Sequence, residues 1–199
     1  NSVDLALDGG VALNVAGGVL VAKGDFEIAL GQVKSADLPN PTQDADAMTL
    51  TLSNVGVFVG VGGGLTDVGS DGDYSNDTVA NGTLGFGATV STLTLVSIKD
   101  RGATTATTDD RTYLGVALDN FDGGLVGLDD LLVFHAYDVD AVLNKAAHGD
   151  GVTPVTKLDW GAFLNTGMDL SAAKTALNGT SLGAVARRSP AAGFNGRPR

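Results

Sequence analysis

Apolar side chains fall at every second position over long stretches of this chain. Phe26-Glu-Ile28-Ala-Leu30, Met48-Thr-Leu50-Thr-Leu52 and Leu93-Thr-Leu95 are three such runs. A period of two marks a β-strand, whose successive side chains point to opposite faces of a sheet. No segment before residue 160 carries the 3.6-residue period of a helix. The pattern predicts a hairpin of residues 3–7 and 11–15 around Asp8-Gly9-Gly10. A longer strand follows over 19–34, with Gly24 as a bulge or kink. Residues 35–45, with Pro39 and Pro41, read as a loop, and 48–61 as the returning strand. A Gly- and Asp-rich loop spans 62–81. Residues 83–99 and 112–126 form a second strand pair around a loop at 101–110, and 128–143 closes the β region. The helix candidate is 171–177, with Asp169 or Ser171 as its N-cap and Asn178-Gly179 as its stop.

The chain also echoes itself. Residues 26–34 return in pattern at 91–99, an offset of 65, each running into an apolar-Lys pair. Leu50-Thr-Leu-Ser-Asn54-Val55 returns as Val116-Ala-Leu-Asp-Asn120-Phe121, an offset of 66. Matched order with a drift of one residue predicts a duplicated strand pair with a longer second loop. The expected fold is all-β. Long antiparallel strands form a duplicated meander, built as an elongated sandwich or a solenoid-like stack, with a short helix near the C-terminus. One face of the strands is expected to be apolar and the other rich in Thr and Ser. The domain reading is a duplicated β module over 1–158, with halves at 18–65 and 83–127. A linker with the short helix covers 159–180, and a basic tail covers 181–199.

Composition narrows the class. Hydrophobic residues make up 43% and charged residues 18%, the balance of a folding chain. The formal net charge is −11, and every acid except Glu27 is an aspartate. Asp weakens helix interiors but suits turns and calcium loops, so this bias fits a loop-rich β protein. An acidic field repels phosphate, which argues against nucleic acid as a partner. Without cysteine, the fold depends on neither a disulfide nor a thiolate-bound metal. No apolar run approaches the ~20 residues of a membrane helix, so membrane insertion by a helix is not expected. The sequence starts at Asn1 and reads as an internal piece of something longer. Residues 187–199 hold four arginines and no acid, and no strand or helix pattern. They read as disordered, or as a boundary where the module's own sequence has ended.

The leading candidate site is the loop Asp67-Val-Gly-Ser-Asp71-Gly-Asp73-Tyr-Ser-Asn76-Asp77. Calcium takes six to eight oxygens, and Asp67, Asp71, Asp73, Asn76 and Asp77 can supply them from a flexible loop. The spacing is neither that of an EF-hand nor that of a nonapeptide Gly-Asp repeat, and a solvated turn-rich loop accounts for the same residues. Asp119, Asp122, Asp129 and Asp130 form a second acidic group. Asp138 and Asp140 form a third, two apart on an expected strand and so on one face, where solvation accounts for them more simply than a metal. Gly179-Thr-Ser181-Leu-Gly183 matches the nucleophile-elbow string, but the helix precedes it and no His follows. Gly60-Val-Gly62-Gly-Gly64 lacks the last Gly and the following helix of a dinucleotide loop. His135 and His148 have no partner motif for catalysis.

Residues 46–65, Asn81-Gly-Thr-Leu-Gly-Phe86, Tyr113-Leu-Gly-Val-Ala-Leu118 and Lys157-Leu-Asp-Trp160 resemble the long repeats of giant, acidic bacterial surface or secreted proteins of the adhesin type. The resemblance covers 1–165. It implies an extracellular or cell-surface β-rich building block that neighbours further repeats, and calcium loading is common among such proteins. After Trp160 the pattern does not restart. The expected function is a structural repeat module without catalysis, stabilised by calcium. The alternatives are a carbohydrate- or partner-binding module, signalled by an exposed row of aromatics, and a hydrolase using paired aspartates that converge in a cleft.

Overall fold

The computed structural model describes residues 3–102, 104–179, 182–183 and 185–186. The strands in chain order are β1 (Leu5–Val15), β2 (Leu20–Lys34), β3 (Ala45–Val61), β4 (Gly64–Thr66), β5 (Thr78–Ala80), β6 (Leu84–Asp100), β7 (Arg111–Val126), β8 (His135–His148) and β9 (Thr166–Gly167). One helix, α1 (Ser171–Gly179), follows them. Seven strands make one antiparallel sheet in the order β1-β2-β3-β6-β7-β8, with β9 paired to the end of β2. β4 and β5 form a small hairpin inside the β3–β6 connection. The fold is thus an all-β meander of long antiparallel strands with a short C-terminal helix. The sandwich-or-solenoid alternative resolves into one sheet that other segments cover in part.

The echo in the sequence becomes two successive hairpins, β2–β3 and β6–β7, joined by the pairing of β3 with β6. Their registers differ. Ile28 faces Leu50, whereas the echo of Ile28, Leu93, faces Leu118 rather than Val116. A slip of two residues keeps every side chain on its own face, while a slip of one would have inverted them all.

Two expectations are corrected. Asp8-Gly9-Gly10 is not a turn: β1 runs straight through it and pairs along its whole length with β2. The turn lies at Ala16-Gly17-Gly18, where all three residues have positive φ. At Gly18 a side chain is excluded, because its Cβ would lie 2.0 Å from the carbonyl oxygen of Gly63. The strand expected over 128–143 is His135–His148, and Leu131, Leu132, Val133 and Phe134 lie in an exposed connection before it. Gly24 does mark an irregularity, since the β2–β3 register shifts between Lys23 and Asp25. The basic stretch 187–199, expected to be disordered, lies outside the described residues.

A polar seam crosses the strands near mid-length. Asn54 and Asn120 both adopt positive φ, 52° and 51°, on either side of Ser91. The Asn54 amide donates to Asp25, and that of Asn120 donates to Ser91. Asn tolerates this left-handed conformation better than most residues, so the echoed Asn is a backbone requirement. On the side of the seam nearer the 35–44 and 101–110 loops, the C-terminal segment packs on one face of the sheet. Trp160, Phe163, Leu170, Ala173 and Leu177 meet Val33, Ala47, Val96, Ile98 and Tyr113 there, and this is the main core. Gly115 admits the contact, because a Cβ on it would lie 2.6 Å from Leu177 and 3.1 Å from the Trp160 ring. Asn144, also buried, is the polar clamp of this layer. Its amide donates to the carbonyls of Leu158 at 2.9 Å and Ala186 at 3.0 Å, and its oxygen accepts from Trp160 Nε1 at 3.2 Å. Beyond the seam the opposite face is covered instead, by the 62–83 excursion. There Val79 lies against Gly56, and Val21 and Phe58 are fully buried.

Candidate functional site

A large apolar part of the sheet has no cover among the described residues. It is the back of the main core, on the loop side of the seam. Register places Leu7, Ile28, Leu50, Leu95, Val116 and Leu143 in one row across six strands. The row on one side reads Leu5, Leu30, Met48, Ser97, Leu114, Lys145. The row on the other side reads Gly9, Phe26, Leu52, Leu93, Leu118, Ala141. None of these residues belongs to the buried core cluster. Leu5, Leu7 and Leu143 on the edge strands are 47%, 50% and 49% exposed, and the central ones are half-buried by one another. The two-faced strand pattern is therefore present, but inverted in use. Thr49, Thr51, Thr92 and Thr94 lie on the face that the C-terminal segment partly covers, and the leucines face outward.

The row that ends this face toward the loops is charged and already paired. Lys34 lies 3.3 Å from Asp44, Arg101 lies 2.5 Å from Asp46, and Lys99 lies 2.9 Å from Asp110. Gln32 donates to Asp46 at 3.3 Å. The Lys99 ammonium, then the Gly102 N–H, hold the Asp110 carboxyl below its ordinary pKa.

The 67–77 loop is organised by its own side chains. Asp67 accepts the N–H of Asp71, Asp71 accepts that of Asp73, and Asp73 accepts that of Ser75, at 3.2, 2.9 and 2.9 Å. Asn76 donates to the second oxygen of Asp71, and buried Asp77 accepts the N–H of Val68. Asp71 and Asp73 thus make successive Asx turns, the usual work of Asp in a Gly-rich loop. The backbone and hydroxyl of Ser75 lower the Asp73 pKa. Lys23 Nζ donates to the Ser75 carbonyl and ties the loop down onto β2. Among the described residues, no three acids or histidines converge as a metal-binding group.

Several other acids are spent in the same way. Asp122 accepts the N–H of Asp138, and Asp140 accepts that of Asn120. Asp138 has positive φ, and the β7–β8 register shifts around it. Asp150 caps a turn through the N–H groups of Val152 and Thr153 and the Thr153 hydroxyl, which lower its pKa strongly. Of the two cap candidates, Asp169 accepts the Ser171 N–H at 2.8 Å at the start of α1, and its pKa falls. Asp100, buried beneath the 35–44 loop, accepts two hydrogen bonds from Asn40. His148 Nδ1 lies 3.1 Å from Asp150, and His135 borders a shallow groove with Asp122, Asn81 and Tyr137. Ser181 lies outside the described residues. Gly60–Gly64 leads into β4 instead of a helix.

The sequence carried a signal for the leucine rows, namely the alternation itself. It carried none for which face would be left open, because that depends on where residues 158–186 return. Comparison of the chain with protein-family models, with curated proteins and with solved structures finds no match in any of the three.

Proposed function

We propose that this chain is a structural repeat module of a large bacterial surface or secreted protein, and that its work is spacing and stiffness rather than catalysis. One observation carries the reading: carboxylate after carboxylate is turned to a backbone N–H of the chain's own loops, bulges and helix start. An acid used this way fixes the backbone and is not poised to transfer a proton. The duplicated hairpins add the regularity of a repeated building block. Calcium, in this reading, stabilises the 67–77 loop through the carboxylate oxygens of Asp67, Asp71, Asp73 and Asp77 and the amide oxygen of Asn76, and offsets part of the acidic self-repulsion.

The test is coupling between copies. One, two and four copies joined in tandem are melted in the Leu95→Asp background, which removes association through the leucine face. The melting temperature should climb with copy number, because each neighbour adds an interface. Identical melting at every length overturns the repeat reading.

A further inference from the structure

We propose that the open leucine face is a self-association surface on which a second copy of this chain packs, sheet against sheet. The proposal rests on the structural-module reading and names the partner that the module takes.

Size is the first argument. Six strands at ~4.8 Å and three rows at ~6.8 Å give a flat footprint of about 600 Å², so two copies would bury about 1,200 Å², the threshold of a specific interface. A lone apolar patch of that extent is at the upper limit for a monomer. The composition fits as well: an aliphatic centre with a polar border is the anatomy of an interface.

Charge selects the partner. The protein carries −11 overall, yet the three rows hold a single charged residue, Lys145, on an edge strand. At the border, Lys34, Asp46 and Lys99 are already paired within the molecule to Asp44, Arg101 and Asp110. The face therefore asks its partner for apolar surface and not for complementary charge, and an identical face supplies that about a two-fold axis. Strand addition at the sheet edges is discouraged instead. β1 carries Asp8 beside Gly9-Gly10, and β8 carries Asp138 and Asp140 and is kinked at Asp138 by positive φ. Charges and bulges on edge strands are the common defence against edge pairing. Two such faces would meet as aligned sheets, crossing at about −30°.

Sedimentation velocity and light scattering of the whole 199-residue chain test this. The expected result is a monomer–dimer equilibrium with a dissociation constant on the order of micromolar. Leu95→Asp, at the centre of the middle row, should raise that constant at least ~100-fold, since each copy loses a buried leucine. The same variant should keep the circular dichroism of the wild type. If it does not fold, Ser97→Cys gives a second readout in this cysteine-free chain. A flexible bis-maleimide should link Ser97→Cys chains as dimers and leave Ser75→Cys chains, labelled on the 62–83 excursion, as monomers. A wild type that stays monomeric throughout the micromolar range overturns the proposal. So does a dimer that Leu95→Asp leaves intact, or a chain that binds phosphatidylcholine vesicles without dimerising. A chain that stays monomeric leaves the tandem-copy melt free to climb with copy number, so the two readings fail separately.

Discussion

Asn144→Leu removes the clamp between β8 and the C-terminal layer while keeping the branched shape of the side chain. Four hydrogen bonds disappear: Trp160 Nε1 to Asn144 Oδ1, and Asn144 Nδ2 to the carbonyls of Leu158, Ala186 and, at 3.5 Å, Val185. They are not equal losses. The Ala186 carbonyl still accepts the Trp160 backbone N–H at 3.2 Å. The Trp160 indole N–H and the Leu158 carbonyl lose the partners described for them, in a layer where Trp160 is fully buried and Leu158 is 6% exposed. An orphaned buried polar group costs roughly 1–3 kcal/mol, so the substitution should destabilise the fold by about 3–5 kcal/mol. For a chain of this size that is a melting shift on the order of 10 °C. Urea unfolding followed by tryptophan fluorescence measures it directly, because Trp160 is the chain's single tryptophan and sits inside the affected layer. Asn14→Leu, on an exposed position of β1, serves as the control and should change stability by no more than about 0.5 kcal/mol. A loss below about 1 kcal/mol for Asn144→Leu would refute the claim that this clamp holds the C-terminal segment to the sheet.

Four further outcomes follow from named contacts. Gly115→Ala places a Cβ against Leu177 and the Trp160 ring, and should cost about 1–3 kcal/mol in the same urea assay. Asn54→Gly should be close to neutral at its φ of 52°, while Asn54→Ala should lose about 1–2 kcal/mol, and Asn120 should behave alike; thermal melts of the four variants decide this. Stability should fall in acid: Asp73, Asp110, Asp150 and Asp169 have depressed pKa values in the folded state, so their contribution is full above the unfolded value near 4 and is lost as pH drops through the lower folded values, which a pH series of melts would trace. Millimolar calcium should raise the melting temperature over chelator, and Asp71→Asn with Asp73→Asn should abolish the increment; equal melts remove calcium from the proposed function.

Much of the fold could be read locally. Alternation in β2, β3, β6 and β7 locates those strands, Asp169 marks the helix start, and Gly24 marks the register break. Each of these is a property of a few neighbouring residues. The misplaced turn shows the boundary of such reading. Asp8-Gly9-Gly10 has turn chemistry, but eleven consecutive pairings with β2 hold it extended, and the reversal moves to Ala16-Gly17-Gly18. The candidate loop was legible as an Asx-rich segment, yet only the folded chain shows its acids spent on successive N–H groups.

By itself, then, the sequence determined that there are long strands with two unlike faces, and that they come as a duplicated pair. A period of two assigns side chains to opposite faces, but it does not say which face will be covered. That was decided by the tertiary return of residues 158–186, which lays Trp160 and Leu177 over Gly115 on the Thr-bearing side and clamps them through Asn144. The leucine side is left to solvent among the described residues, and the surface with the most to gain from a partner is set by a contact between segments far apart in the chain.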